Sequence, residues 1–248
     1  TLDIPIDKVT AARTRITIAE WGRGIEITGK SIDLTYFKLS DVQEMQLREQ
    51  MTLTLDKAVW DVYKACQVKY VPLTVGTQNI TTNGAFSGTG GSNLNFYHLA
   101  KIRDHMRGTL LVPTGPDGNY NAVISTQAAR GLKDDPKYIQ WLAPQNALKG
   151  INGYLGTIEN FNLFENNNTS SFSNAKGAST VTGEGVFFGY DSGMMPVVIA
   201  TAVDPEMRYA SAGFDRFRAV AWYGELQFGE VWPTANAGEG KIVHLGSA

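Results

Sequence analysis

Cysteine is nearly absent: Cys66 is the only one in the chain. A single thiol excludes an internal disulfide and a thiolate-rich metal site, and it fits a reducing compartment. Histidine is scarce as well, with His98, His105 and His244 the full set. No G-x-S-x-G nucleophile elbow occurs. Gly88, Gly90 and Gly91 have the spacing of neither the dinucleotide fingerprint nor the P-loop, and no Lys-Ser or Lys-Thr pair follows them. The basic residues form no run, and 22 Lys and Arg stand against 24 Asp and Glu for a formal charge of -2. That balance argues against a dedicated nucleic-acid binder, whose affinity rests on clustered cations. No apolar run approaches the roughly 20 residues of a membrane helix, and charged residues interrupt the start of the chain where a signal peptide would be apolar. A chain made in a cytosol is expected. It opens on Thr1 rather than Met, as a processed or truncated product would.

What is present is an ordinary globular composition, 43% hydrophobic and 19% charged over 248 residues, enough for one large domain or two small ones. The longest signal runs from Ser40 to Gln67. Leu47, Met51, Leu55, Ala58, Val62 and Cys66 fall three or four apart and make one apolar stripe. The stripe predicts a long amphipathic helix of about 40 Å. Ser40 is the expected N-cap, Asp41 and Glu44 suit the positive end of the dipole, and Lys64 suits the other. The helix reads as a buried spine, with Cys66 a small core residue.

Before it, residues 1–38 alternate apolar and polar around Leu2, Ile4, Ile6, Ile16, Ile18, Ile25 and Ile27, which predicts strands too poor in large apolar groups to bury a core of their own. After it come a strand at Tyr70–Val75 and a polar loop or irregular hairpin over 76–95. A helix capped by Asn95 follows, with Leu99, Ile102 and Met106 on one face and Gly108 as its stop. Leu110–Val112 is a buried strand or turn, and Gly115, Pro116, Asp117 and Gly118 a tight turn. Tyr120–Ser125 is a strand. Thr126–Arg130 is a short helix stopped by Gly131, and a further helix capped by Asp135 starts at Pro136 and ends before Pro144. One strand is expected over Gly153–Phe164 and a mobile surface loop over 166–182. Strands at Gly185–Tyr190, Val197–Ala202, Phe217–Trp232 and Lys241–Leu245 complete an α+β order.

Candidate chemistry is thin. His98 and His105, seven apart on one helix face beside Asp104, could ligate a metal if His244 supplied a third ligand. The spacing is not the i, i+4 of helical zinc ligands, so ordinary half-buried histidines are expected. Asp134 and Asp135 are explained by helix capping, and Glu225 and Glu230 by a solvated sheet face. Asn79-Ile80-Thr81 and Asn167-Asn168-Thr169 are chance glycosylation triplets. No catalytic, cofactor-binding or metal residue is assigned, and no cofactor is expected.

Collinear features carry a resemblance. An extended arm closes at Trp21-Gly22 and runs through Ile25-Glu26-Ile27-Thr28; a long helix carries Leu55-Asp56; a polar loop leads to the helix at Phe96 to Arg107. Asn121-Ala122-Val123-Ile124-Ser125, then Ala129-Arg130-Gly131-Leu132, the Asp-Pro-started helix through Trp141, and the late strand from Arg216 to Phe228 continue the order. Together they resemble the major capsid proteins of tailed bacteriophages, in particular those related to the phage N-four shell protein. The resemblance implies the Hong Kong 97-type capsid fold, which bacterial encapsulins share. It implies an E-loop over 1–38, a peripheral domain with the spine helix over 39–95, an axial domain over 96–194, and return strands of both domains over 195–248. It further implies a non-enzymatic subunit that assembles with itself through pentamers and hexamers into an icosahedral virion shell around double-stranded DNA, in a bacterial host cytoplasm. Portal, decoration or scaffolding proteins would be its partners, DNA contact would be weak and non-specific, and no membrane is involved. Some relatives crosslink a Lys to an Asn of a neighbour. Lys8 and Lys30 lie in the arm, but nothing marks a partner Asn or an assisting acid, and no crosslink is assigned. The competing readings are an encapsulin-like compartment shell and, from another class, a metal-dependent enzyme using His98 and His105.

Overall fold

Among the described residues there are two sheets, and the larger is centred on short strands at Gly185–Phe188 and Ile242–Leu245 that are buried on both faces. The computed structural model describes residues 15–36, 38–137, 153–173, 182–190, 193–214, 216–231 and 241–247. The expected strands around Leu2, Ile4 and Ile6, and most of the helix expected after Pro136, lie outside the described residues.

The large sheet contains β2 (Val68–Thr74), β3 (Thr77–Thr81), β4 (Tyr120–Ser125), β5 (Tyr154–Ile158), β6 (Phe161–Asn166), β7 (Gly185–Phe188) and β10 (Ile242–Leu245), in the order β3-β2-β10-β7-β4-β6-β5. Strands β7 and β10 are buried at all four positions, as strands covered on both faces must be. The sheet is mixed: β10 runs parallel to β2 and β4 parallel to β6, while β7 is antiparallel to both β10 and β4. Pro72 is tolerated in β2 because β10 pairs only with Val68 to Tyr70, so no ladder bond to β10 is lost. Helices α3 (Phe96–Asp104) and α4 (Thr126–Lys133) cover the sheet, bringing Leu99, Ile102, Ala128 and Leu132 against Tyr120, Phe161 and Phe187. Of their two caps, Asn95 is the one expected from the sequence and Ser125 is found only in the structure. The Asn95 side chain accepts the His98 amide at 3.0 Å and Ser125 accepts the Ala128 amide at 3.3 Å.

The smaller sheet joins β1 (Ala19–Thr28), β9 (Phe217–Glu230) and β8 (Val197–Ala212), all antiparallel, with β9 in the middle. A short helix α1 (Gly29–Asp33) leads to α2 (Leu39–Lys64), which lies across this sheet. Leu47 of α2 is buried against Val220 and Trp222, with Trp21, Ile25, Met51 and Met207 packed around them. The Trp222 indole N–H donates to Gln50 Oε1 at 2.7 Å and fixes the crossing.

Several expectations are corrected. The long helix is present, but its stripe is buried only in part: among the described residues no α2 residue enters the main core cluster, and the helix packs into the two smaller clusters instead. Of the stripe, Leu47 and Cys66 are buried, while Met51, Leu55, Ala58 and Val62 stay half-exposed. Ser40 is not its N-cap. The helix starts one residue earlier, Lys38 occupies the cap position without a side-chain bond, and the Ser40 hydroxyl turns to Asp41 instead. Trp21-Gly22 closes no ribbon; both lie inside β1, where a Cβ on Gly22 would stand 2.8 Å from the Trp222 carbonyl oxygen. That glycine serves close strand approach, not a turn. Gly131 does not stop α4, which runs to Lys133; a Cβ there would meet Asn93 at 2.7 Å, so the glycine lets the helix pack tightly. Gly153–Phe164 is two strands, turned at Glu159 and Asn160, both at positive φ.

Strand β8 runs ten residues past Ala202, through Pro205. It can because it is an edge strand bulged on either side of Val203, and because Gly224 opposite leaves room for the proline ring.

Candidate functional site

The histidines are placed as structural groups. His98 is fully buried, takes the Tyr70 hydroxyl on Nδ1 at 2.9 Å and gives its Nε2 proton to the Thr74 carbonyl at 3.0 Å. Burial pushes it down to about 4, so the ring stays neutral. His105 is lowered by burial and leaves Nε2 without a partner among the described residues. His244 is held elsewhere: Lys69 Nζ donates to Nδ1 at 3.1 Å, and Nε2–H donates to Glu184 Oε1 at 2.7 Å. Burial takes His244 down to about 4 despite that carboxylate. Burial pushes the Glu184 carboxyl up, but the His244 bond and the Ser173 amide leave it lowered overall. The imagined metal pair and its third ligand are thus not brought together. Among the described residues no three His, Cys, Asp or Glu side chains converge on one point. Cys66 is a core thiol, bonded to the Val68 carbonyl at 3.3 Å and pushed up by burial to about 12.

A second polar cluster sequence reading missed ties α2 to the stretch after β6. Asp56 accepts the Trp60 indole N–H at 2.8 Å, the Asn168 amide at 2.8 Å and the Ser171 hydroxyl at 2.6 Å. Lys64 donates to the Ser171 carbonyl at 2.6 Å, and Phe172, 1% exposed, packs with Tyr63 and Cys66. The surface loop expected over 166–182 is therefore docked over its first part, because one aromatic residue in a polar run is enough to anchor it. Asn168, in a chance glycosylation triplet, is a member of this cluster. Asp56→Ala should cost about 1–3 kcal/mol and strip hydrogen-exchange protection from the Ser171 and Phe172 amides, both bonded to the Asn168 carbonyl. Unchanged protection would mean that Phe172 docks without the carboxylate.

Between α2 and the small sheet lie two open grooves. One, about 560 Å³, sits at the start of α2 beside Glu44, Tyr209 and Arg218. The other, about 480 Å³, sits at its end between Val62, Ala65, Trp21, Phe228 and Glu230. The half-exposed part of the α2 stripe borders this second groove through Ala58 and Val62. Glu225 and Glu230 are not a matched pair on a solvated face. Glu225 is half-buried and takes the Tyr223 hydroxyl. Glu230 shares the α2-facing side of β9 with Trp222 and Leu226, and burial pushes it up to about 7, with Lys69 pulling weakly the other way. At the far end of the small sheet, Tyr36 and Phe214 are wholly exposed, at 108% and 105%, near exposed Leu34 and Phe217.

A family profile described as phage capsid protein matches residues 11–237. The chain belongs to that phage capsid protein family. No curated protein matches the sequence significantly. The fold is similar to the capsid of Ralstonia phage GP4 (TM-score 0.68, 13% identity, 93% of this chain and 74% of that one). It is also similar to the head structure of Helicobacter pylori bacteriophage KHP40 (0.64, 14%, 93% and 74%) and to the capsid of cyanophage Pam1 (0.62, 13%, 93% and 75%).

This capsid protein is a structural component of the virion shell, with the mixed helix and strand fold of tailed-phage capsids. Among the described residues no helix is long and apolar enough to cross a membrane. Its buried histidines give the subunit a pH dependence. Unfolded, they bind protons near 6.5; folded, near 4. The unfolded state therefore holds more protons between those values, and stability is full above 6.5 and falls as pH drops toward 4. Glu230, raised to about 7, acts with the opposite sign. The urea midpoint should fall from pH 7 to pH 4, and more steeply in Glu230→Gln. A midpoint that rises over that range would mean the imidazoles are charged in the folded subunit.

Proposed function

We propose that the chain is the major shell subunit of a tailed bacteriophage, closing through pentamers and hexamers into an icosahedral shell around double-stranded DNA. The observation that carries this reading is the small sheet. Strands β1 and β8 are both edges, α2 covers one face incompletely, and the far end exposes Tyr36 and Phe214. An isolated soluble domain blunts or covers such edges; a shell subunit pairs and packs them against neighbours.

In this reading residues 1–38 serve as the E-loop, anchored on β9 through β1; 39–95 form the peripheral domain with α2 as spine; 96–194 form the axial domain; and 195–248 return strands to both. The subunit is made in the bacterial host cytoplasm, works without a cofactor, and meets portal and decoration or scaffolding proteins at the shell. With no cationic run and a formal charge of -2, its contact with DNA is weak and non-specific. The test is negative-stain imaging of the expressed protein, with nuclease-treated particles analysed for content. Closed angular particles that package DNA in infected cells support the reading. Particles that retain one protein cargo and no nucleic acid would identify a compartment shell instead.

A further inference from the structure

We infer that the groove at the end of α2 is a receptor for one cationic side chain, arginine or lysine, of a neighbouring copy of this chain. Its walls are two aromatic rings, Trp21 and Phe228, facing the small side chains Ala58 and Ala65. The Trp21 indole N–H is spent on the Leu226 carbonyl at 2.9 Å, so its ring offers an apolar face. Glu230 supplies the charge. Its half-buried carboxylate takes no hydrogen bond and no ion pair from the described residues. The nearest cation, Lys69, is committed to the Lys64 carbonyl at 2.5 Å and to His244 at 3.1 Å. The other acid of the groove, Asp61, is held by Lys57 and Lys64.

A half-buried carboxylate without a donor is costly, and the free subunit answers by raising its proton affinity to about 7. A guanidinium or ammonium entering the groove would restore the charge, form charge-assisted hydrogen bonds and lie on the aromatic faces. A monovalent organic cation suits the groove better than a divalent metal ion, because beside the neutral amides of Gln67 and Gln227 the groove holds one uncommitted carboxylate. Charge complementarity names the donor. Arg107, Arg216 and Arg218 are exposed and make no ion pair among the described residues, so each copy carries candidate donors as well as the acceptor. That the donor belongs to another copy rests on the shell reading; that the groove takes a cation does not.

Two measurements separate these parts. Glu230→Gln removes the unpaired charge, so it should leave the free subunit's urea midpoint at pH 8 unchanged or higher. The same variant should raise the subunit concentration needed for shell assembly by about tenfold or more. N-ethylguanidinium added to wild-type free subunits should shift the Glu230 carboxyl and Trp21 indole NMR signals and lower the Glu230 titration from near 7; in Glu230→Gln the Trp21 signal should stay still. Shells of Glu230→Gln forming at wild-type concentrations would overturn the inter-copy contact, as would wild-type protein that forms no shells. Unmoved signals with N-ethylguanidinium would overturn the cation site itself. So would a Glu230 that titrates in the ordinary carboxylate range in the free subunit, since a cation of its own chain would then already fill the groove.

Discussion

Phe187→Ala is expected to lower the subunit's stability by about 3–5 kcal/mol, while Leu55→Ala is expected to be nearly silent in the isolated chain. Phe187 is fully buried in β7, the middle strand of the large sheet, and meets Phe161 edge-on with ring centroids 5.1 Å apart. Truncating such a ring costs about 3–5 kcal/mol through lost transfer energy and the cavity left behind. That is a large share of the roughly 5–15 kcal/mol that holds a domain together. Leu55 stands on α2 half-exposed and outside all three buried clusters, so its loss should cost under about 1 kcal/mol. Soluble yield and urea midpoints of the two variants decide the point. If Leu55→Ala is as damaging as Phe187→Ala, the subunit is organised around α2 rather than around β7 and its neighbours.

The contrast shows where the sequence is legible and where it is not. Local signals were sufficient for the cap at Asn95, for the apolar runs of β7 and β10, and for the alternation of Val220, Trp222 and Leu226 in β9. Each depends on a residue and its near neighbours in the chain. Periodicity also located α2, but it reports that a helix has an apolar side and is silent on what covers that side. In this subunit the large sheet takes the core, and two residues of the α2 stripe, Ala58 and Val62, are left beside an open groove.

The missed features all depend on distant partners. Gly22 reads as a turn until the Trp222 carbonyl is seen beside it. Pro205 ends an apolar alternation but not the strand, because Gly224 lies opposite. Phe172 is one aromatic residue in a polar run, and its dock is assembled from Trp60, Tyr63 and Asp56, more than a hundred residues earlier. Glu230 is one acid on an amphipathic strand, and its sequence neighbours do not say that its side faces a groove. The collinear order of elements did point to the capsid family, but the contact surfaces are tertiary.

Deleting residues 1–14 should leave a folded subunit that no longer closes into shells. The tie to the subunit begins at Ile16: a Cβ on Gly229 would fall 2.6 Å from its Cγ1, so Ile16 lies directly on β9. From Ala19 to Thr28 the chain is paired with β9 at every residue. A cut after residue 14 therefore removes none of these contacts. What it removes is Leu2, Ile4 and Ile6 alternating with Asp3, Pro5 and Asp7, a sequence pattern that, on the proposed shell reading, would be marginal alone in water and would gain its partner in another subunit. The truncated protein should keep its far-ultraviolet spectrum and urea midpoint but sediment as monomers or small capsomers. Removing 1–38 instead should prevent folding, because it strips β1 from β9 and uncovers Val220 and Trp222. Hydrogen exchange should place the same boundary, with Ala19–Thr28 protected even in free subunits. Closed shells from the 1–14 deletion would remove the arm from assembly, and an unfolded product would show that it completes the subunit's own core.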